Sequence, residues 1–274
     1  MKDIKLIAFD LDGTMLTDKK ELTEENRQAL LAAAEKGIEI VPATGRLPMA
    51  LPTAFQDLPI HYGIFINGAE VADMRTGESL GQSLIPWEQA VEVFEYAEQF
   101  PIIYDCYMEN KAYMSQAYRY RIPEFALNSH YLKMMWELRT TVPELKEYLA
   151  QRKQGVQKLQ FYFRKDQNDL REELLANWKI PGIEVSTSVP NNLELNNAAG
   201  TKGYALKMLA EHLGLSMEQT MAFGDGSNDL SMIAMAGLGV AMEKHDPVLE
   251  GVADYVTGSC NDSGVAQAIR KFCL

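Results

Sequence analysis

The chain has 274 residues, of which 47% are hydrophobic and 23% are charged, a composition typical of a globular protein. This composition excludes a collagen, a coiled coil and a disordered tail protein. Lysine and arginine together number 26 and aspartate and glutamate 38, so the formal net charge is −12, which argues against binding to nucleic acid. An anionic ligand would therefore need a local cationic site.

Membrane, disulfide and soft-metal features are not indicated by the sequence. No stretch approaches the roughly 20 apolar residues of a membrane span, so we expect a cytoplasmic protein with no membrane partner. The three cysteines lie far apart, and the four histidines show no paired spacing. A bound metal would therefore be a hard ion held by oxygen atoms.

The first part of the chain predicts a strand, a helix and two more strands. Lys5–Asp10 is a short apolar run, as expected for a strand buried on both faces of a parallel sheet. Thr23 is a suitable N-cap for a helix over Glu24–Lys36, and a glycine follows that helix. Ile38–Val41 and Ile64–Ile66 are the next predicted strands. This order is typical of a doubly wound α/β sheet.

The last part of the chain repeats this alternation. Lys202–Leu213 is predicted as a helix, Met221–Phe223 as a strand, Asn228–Ala236 as a helix and Leu238–Ala241 as a strand. The length of the chain suits either two domains or one domain with a large insertion.

Residues 85–190 have a different pattern, from which we predict an inserted α+β module. Amphipathic helices are indicated over Trp87–Gln99, Val142–Lys153 and Asp166–Asn177, and an alternating strand over Gln157–Phe163. Six of the 12 tyrosines fall between Tyr104 and Tyr131, where they could line a ligand cleft or pack one face of a sheet.

Acidic residues follow two of the predicted parallel strands. Asp10 and Asp12 come directly after the first strand, and Asp225 and Asp229 follow the strand Met221–Phe223. Because parallel strands end at the same edge of a sheet, we expect these four carboxylates to lie in one crevice. Carboxylates at close range repel unless a cation neutralises them, and oxygen-only ligands are typical of Mg²⁺.

Two other interpretations of these acids are less consistent with the sequence. An EF-hand loop starting at Asp10 would need glycine where Met15 stands, and the preceding segment is predicted as a strand. Capping of helices and turns suits Asp18 and Asp229, but it does not explain paired carboxylates after two buried strands.

The acidic clusters belong to a set of short motifs that occur in a fixed order. These motifs are Asp10–Thr14, Ala43–Arg46, Gly200–Gly203, Gly224–Asp229 and the tail Asn261–Ala266. Together they resemble the haloacid dehalogenase (HAD) superfamily, specifically its Cof-type phosphatases with a C2B cap. The resemblance implies a Rossmann-like doubly wound parallel core, residues 1–84 and 191–274, and an inserted α+β cap, residues 85–190, that closes over it.

The resemblance also implies roles for the acidic residues. Asp10 would be the nucleophile that forms an aspartyl-phosphate. Asp12 would be the general acid and base, for which we expect neighbouring anions to raise its pKa. Mg²⁺ would be held by Asp10, the main-chain carbonyl of Asp12 and Asp225, with Asp229 in contact with the ion or one shell further out.

Phosphate contacts are implied for residues of the second and third motifs. Thr44 would donate its hydroxyl to a phosphoryl oxygen, and Lys202 would supply positive charge in the transition state. Gly45 lies in the same loop as Thr44 and is expected at the substrate.

For each of three further residues, the sequence is consistent with two roles. Arg46 and Asn67 would contact substrate or serve loop structure. Asn228 would reach Lys202 or the phosphate, or cap the helix that follows it.

The predicted activity is Mg²⁺-dependent hydrolysis of small phosphomonoesters. The resemblance implies sugar phosphates as the first substrates, with flavin mononucleotide or pyridoxal phosphate as others. A sugar phosphomutase would use the same aspartyl-phosphate chemistry and is an alternative. A phospho-accepting signalling module is a third hypothesis, against which Asp12 argues because a signal should not carry a built-in acid and base.

Overall fold

A computed structural model describes residues 3–274, apart from the side chain of His130. Met1 and Lys2, where the predicted core begins, lie outside the described residues. The strands are β1 (Leu6–Phe9), β2 (Glu39–Pro42), β3 (Tyr62–Phe65), β4 (Glu70–Asp73), β5 (Glu78–Gln82), β6 (Ile103–Met108), β7 (Lys111–Ser115), β8 (Arg139–Val142), β9 (Lys158–Tyr162), β10 (Ile183–Ser186), β11 (Asn192–Asn197), β12 (Thr220–Gly224), β13 (Leu238–Ala241) and β14 (Tyr255–Val256). The helices are α1 (Glu24–Glu35), α2 (Trp87–Ala97), α3 (Gln116–Arg119), α4 (Ile122–Phe125), α5 (Ser129–Leu138), α6 (Leu145–Arg152), α7 (Asn168–Asn177), α8 (Lys202–His212), α9 (Leu230–Met235) and α10 (Gly264–Phe272).

The described chain divides into two compact units. The first runs up to Gln82 and resumes over Gly200–Leu274, and the second is Ser83–Ala199. In the part of the chain that the structure describes, no helix combines the length and the apolar character needed to cross a membrane.

A five-stranded parallel sheet with the order β14-β13-β12-β1-β2 forms the centre of the first unit. Leu6 and Ala8 of β1 pack into an apolar cluster with residues of α8, whereas Ile7 and Phe9 pack into another with residues of α1 and α10. Because successive side chains of a strand point to opposite faces, β1 is buried on both sides. The prediction of a doubly wound α/β sheet is confirmed.

The first predicted helix is also confirmed, with its end one residue earlier. The Thr23 hydroxyl accepts a hydrogen bond from the backbone N–H of Asn26 at 3.3 Å, so it caps the helix. Lys36 is the C-cap of α1 rather than its last residue.

The third predicted strand lies at the join between two sheets. Ile64 makes an isolated parallel bridge to Ala43, next to the parallel sheet, while β3, β4 and β5 form an antiparallel sheet. The strand ends at Phe65, because Ile66 and Asn67 adopt positive φ angles of 55° and 60° and turn the chain.

The second unit contains a six-stranded sheet with the order β10-β11-β9-β6-β7-β8. Strand β11 pairs antiparallel with both β10 and β9, and the second unit runs to Ala199, whereas the boundary predicted from the sequence lies between residues 190 and 191. Leu193 and Leu195 alternate with polar residues along β11 and pack into the apolar cluster of this unit. Val142, predicted to begin a helix, ends β8 instead, and α6 begins at Leu145.

Tyrosines of the second unit support the packing interpretation where their surroundings are described. Tyr104 is buried and stacks on Phe94 with ring centroids 4.1 Å apart. Tyr113 belongs to the same apolar cluster, while Tyr120 is exposed. These rings therefore contribute to the hydrophobic core or the surface of this unit.

Candidate active site

Three carboxylates of the first unit meet where β1 and β12 end. Asp10 directly follows β1 and Asp225 directly follows β12, and the Asp10 N–H donates to the Phe223 carbonyl at 2.9 Å. Carboxylate oxygens of Asp10, Asp225 and Asp229 all lie within 4.8 Å of one another. The parallel pairing of the two strands therefore brings together acids that are more than 200 residues apart in the chain.

Two glycines allow this close approach. Gly13 has a φ of +93°, and a Cβ atom there would lie 2.4 Å from Oδ2 of Asp225. A Cβ atom on Gly224 would lie 2.4 Å from the Cβ of Asp229. Both distances are shorter than any packed contact between heavy atoms, so a side chain at either position would displace an acid.

Lys202, the first residue of α8, supplies a positive charge to this cluster. Its side chain is fully buried, and Nζ donates to Oδ1 of Asp10 and to Oδ1 of Asp229, each at 2.6 Å. Burial lowers the pKa of the ammonium group, but the charges and hydrogen bonds of Asp10 and Asp229 outweigh it and raise that pKa. Lys202 therefore stays charged.

Asp229 has both carboxylate oxygens engaged by neighbouring groups. Oδ1 accepts from Lys202, while Oδ2 accepts from the backbone N–H groups of Asp225 and Gly226, both at 2.9 Å. The side chain thus links the loop after β12 to the buried lysine.

Negative charge exceeds positive charge at this edge of the sheet. Burial is the main cause that raises the pKa of Asp10 to about 8, with the charges of Asp229, Asp225 and Asp12 adding to it and Lys202 opposing it. Burial also raises the pKa of Asp225 to about 7, together with the charge of Asp229, although the Thr14 hydroxyl donates to Asp225 Oδ1 at 2.7 Å. Crowded, buried oxygen donors that resist ionisation suit a hard divalent cation.

Asp12 is held in a different way. Arg46 donates through Nε to Oδ2 at 2.8 Å and through Nη2 to Oδ1 at 2.7 Å, and Lys20 Nζ lies 2.8 Å from Oδ1. Burial raises the pKa of Asp12, but the hydrogen bonds and charges of Arg46 and Lys20 outweigh it and lower the pKa to about 2. The expectation of a raised pKa is wrong, because two cations and not the neighbouring anions contact this carboxylate.

Hydrogen bonds join two further loops that carry predicted site residues. Thr44 follows β2, and its hydroxyl accepts from the N–H of Arg46 at 3.2 Å, with Gly45 between them in the chain. The Asn67 N–H donates to the Thr44 carbonyl at 3.0 Å, and the Asn228 amide donates to Asn67 Oδ1 at 3.1 Å. Asn67 therefore joins the Thr44 loop to the loop after β12.

Asn228 is not the N-cap of the helix that follows it, which is one of the two roles that the sequence left open. Helix α9 begins at Leu230, and its N-cap residue, Asp229, makes no side-chain capping hydrogen bond. A 3₁₀ turn over Ser227–Asp229 precedes the helix, so Asn228 stands outside it.

Sequence reasoning assigned no role to two residues that contact the site. Thr14 lies in the first motif, where its contact with Asp225 could have been suspected from proximity to the acids. Lys20 carries no local signal, because its contact with Asp12 depends on the path of the intervening loop.

Comparisons with known proteins give a family match and named relatives. A family model for haloacid dehalogenase-like hydrolases matches residues 7–269. The chain is 31% identical to the 5-amino-6-(5-phospho-D-ribitylamino)uracil phosphatase YcsE of Bacillus subtilis (strain 168), over 99% of this chain and 97% of that protein. It is 28% identical to the pyridoxal phosphate phosphatase YbhA of Escherichia coli (strain K12), over 98% and 99% of the two chains.

Solved structures show the same overall likeness. A haloacid dehalogenase-like hydrolase from B. subtilis matches with a TM-score of 0.83 and 28% identity, over 99% of this chain and all (100%) of that chain. The HAD subclass IIB sugar phosphatase BT4131 matches with a TM-score of 0.79 and 26% identity, over 98% of each chain. The prediction of a phosphatase of this superfamily is thereby confirmed, and the chain belongs to the haloacid dehalogenase-like hydrolase family.

Proposed function

We propose that this enzyme hydrolyses small phosphomonoesters, sugar phosphates first, through an aspartyl-phosphate on Asp10 and with Mg²⁺ as cofactor. The observation that carries the proposal is the Asp10 carboxylate, which accepts a hydrogen bond from the buried ammonium of Lys202 and has carboxylate oxygens of Asp225 and Asp229 within 4.8 Å. A nucleophilic carboxylate beside a fixed cation and a set of oxygen donors is suited to phosphoryl transfer.

The substrates named for relatives support a small substrate. A phosphorylated ribitylaminouracil, pyridoxal phosphate and sugar phosphates are all small phosphomonoesters with polar leaving groups. The net charge of −12 also favours a compact anion bound at a local cationic site over a polyanionic polymer.

In the first step, a carboxylate oxygen of Asp10 attacks phosphorus, and the bond from phosphorus to the leaving oxygen breaks. Lys202 holds Oδ1 of Asp10 at 2.6 Å and so limits rotation of the attacking carboxylate. The leaving oxygen takes a proton from Asp12. In the second step, water attacks phosphorus, the Asp10–phosphorus linkage breaks, and Asp12 receives the proton of the water.

The ionised form of Asp12 is suited to the second step. Paired with Arg46 and Lys20, it is an ionised carboxylate, which is the form that accepts a proton. To protonate the leaving group it must first carry a proton, so we infer that its ion pair with Arg46 opens when substrate binds. Arg46 is the residue best able to leave, because its guanidinium can pair with a phosphoryl oxygen instead.

Asp10, the main-chain carbonyl of Asp12 and Asp225 would hold Mg²⁺. The ion supplies positive charge that offsets the repulsion between a carboxylate and a phosphate dianion. Asp229 would support these residues without binding the ion itself, because its oxygens already accept from Lys202 and from two backbone N–H groups.

Phosphate release from a panel of sugar phosphates, pyridoxal phosphate and flavin mononucleotide tests the proposal, with Mg²⁺ and with a chelator. We expect release that depends on Mg²⁺ and is strongest for a sugar phosphate. A panel without release would contradict the hydrolase proposal, and release unaffected by chelation would contradict the role of the metal.

Product analysis in the same reactions separates hydrolysis from the mutase alternative. A mutase returns the phosphoryl group to another hydroxyl, so it gives a positional isomer and little inorganic phosphate. We expect inorganic phosphate and the dephosphorylated compound in equal amounts.

A further inference from the structure

The loop between Asp12 and α1 brings the side chain of Lys20 back to the Asp12 carboxylate. Lys20 Nζ lies 2.8 Å from Oδ1, the same oxygen to which Arg46 Nη2 donates at 2.7 Å. Arg46 binds both oxygens in a fork and fixes the plane of the carboxylate, while Lys20 contacts Oδ1. The two cations approach Asp12 from separate segments of the first unit.

The backbone of this loop directs the Lys20 side chain toward Asp12. Lys20 adopts a φ of 63°, its N–H donates to the Thr17 carbonyl at 2.8 Å, and the Thr17 N–H donates to the Glu21 carbonyl at 3.0 Å. A left-handed conformation at a lysine is uncommon and requires support from surrounding contacts.

That support comes from the C-terminal motif, which the chemistry described so far does not use. The Asp18 N–H donates to Asn261 Oδ1 at 3.1 Å, and Asn261 Nδ2 donates to Asp18 Oδ2 at 2.9 Å. One amide side chain thus binds both the backbone and the side chain of Asp18, two residues before Lys20. The hydroxyls of Thr23 and Ser263 share a hydrogen bond of 2.7 Å at the other end of the loop.

We propose that Lys20 is a positioning residue for Asp12, and that Asn261 sets the place of Lys20 by holding Asp18. The inference rests on the proposed function, because it assigns Lys20 an effect on turnover through Asp12. Lys20 does not touch substrate in this scheme. Its contact restricts the Asp12 side chain to the orientation from which a proton is exchanged.

The ion pair is poorly suited to a purely stabilising role. The Lys20 side chain is 50% exposed and that of Asp12 is 37% exposed, and ion pairs of this kind contribute little to stability. A change at Lys20 should therefore alter the rate much more than the melting temperature.

Steady-state hydrolysis of p-nitrophenyl phosphate by Lys20→Asn, with Lys20→Arg and Lys19→Asn beside it, tests the inference. Asparagine tolerates a positive φ, so the first variant removes the ammonium with little backbone strain. We expect kcat to fall roughly 5- to 20-fold with KM changed less than about twofold, and Lys20→Arg to recover most of the loss.

Lys19→Asn is the matched control, because Lys19 is an exposed lysine of the same loop. It should behave as the unmodified enzyme. An equal loss in both lysine variants, or a loss confined to KM, would show that Lys20 acts by general attraction of the anionic substrate and would overturn the inference.

Double-mutant cycles then test whether the effect passes through Asp12. The good leaving group of p-nitrophenyl phosphate should keep turnover by Asp12→Asn measurable. Adding Lys20→Asn to Asp12→Asn should cause no further loss, and adding Asn261→Ala to Lys20→Asn should cause none either. Multiplicative losses in either cycle would overturn the corresponding link.

The controls separate failure of this inference from failure of the proposed function. An active enzyme in which Asp12→Asn is impaired but Lys20→Asn is not refutes only the positioning role. An enzyme that releases no phosphate from any monoester refutes both.

Discussion

The Nζ atom of Lys202 lies 2.6 Å from Oδ1 of Asp10, although 192 residues separate the two in the chain. Lys202 is fully buried, and it contacts Asp229 at the same distance, so one ammonium group faces two carboxylates. With Asp225 within reach of the same oxygens, negative charge remains in excess. This excess of negative charge is the physical basis for expecting a cation at this edge of the sheet.

Asp10→Asn should abolish hydrolysis and leave the fold intact. The amide has the same shape as the carboxyl group but is not a competent nucleophile, so we expect turnover to fall roughly a thousandfold or more. Because the pKa of Asp10 is raised to about 8, its charge is not favoured by the fold, and the melting temperature should fall little if at all. Phosphate release and thermal unfolding measure the two effects. Substantial residual hydrolysis by purified variant would contradict the role of Asp10.

Lys202→Met should destabilise the protein as well as inactivate it. It leaves Asp10 and Asp229 buried without their positive partner, and breaking a buried pair in this way costs about 3–5 kcal/mol. The loss should shrink as pH falls from 8 to 5, because Asp10, whose pKa is about 8, then carries a proton and no longer needs the lysine. Denaturant unfolding at several pH values provides the measurement.

Lys207→Met is a matched control for that substitution. Lys207 lies on the same helix, is well exposed and pairs with Glu211 one turn later. Such a pair contributes about 0.3–0.5 kcal/mol. A loss at Lys202 no larger than that at Lys207 would be inconsistent with the buried ion pairs described above.

Affinity for Mg²⁺ should rise with pH between 6 and 8. The pKa values of Asp10 and Asp225, about 8 and about 7 without metal, mean that the ion displaces protons when it binds. Each displaced proton makes affinity rise by up to about tenfold per pH unit below the pKa concerned. Calorimetry in buffers of different ionisation enthalpy would detect the released protons, and a pH-independent affinity would contradict a site built from these acids.

Stability without metal should have the opposite pH dependence. A carboxyl group whose folded pKa lies above its unfolded value binds more protons in the folded state. The contribution of Asp10 and Asp225 therefore becomes less favourable as pH rises from about 4 to about 8. Saturating Mg²⁺ should flatten this trend in thermal unfolding, because the ion binds the folded, ionised form.

Gly13→Ala should weaken metal binding, while Gly37→Ala should not. Both glycines have positive φ angles, +93° and +77°, so each substitution costs about 1–2 kcal/mol in backbone strain. A Cβ atom at Gly13 would also collide with Asp225, whereas one at Gly37 would point into open space among the described residues. Equal Mg²⁺ affinity in the two variants would show that Gly13 does not place Asp225.

Local patterns in the sequence predicted much of the fold and the identity of the acids. The apolar run that ends at Asp10 and the capped helix after Thr23 are properties of short segments, which explains why their prediction holds. Strand β11 is not among the elements predicted from the sequence, and its pairing with β9 depends on a register between segments that are distant in the chain.

The sequence by itself determined that carboxylates would follow two parallel strands, because the ends of parallel strands share one edge of a sheet. Only the tertiary structure decided which cations those carboxylates meet. Lys202 faces Asp10, while Arg46 and Lys20 face Asp12 and lower its pKa instead of raising it. The reason is that side-chain pairing between distant segments depends on how loops and helices pack in three dimensions. The periodicity of the sequence does not predict that packing.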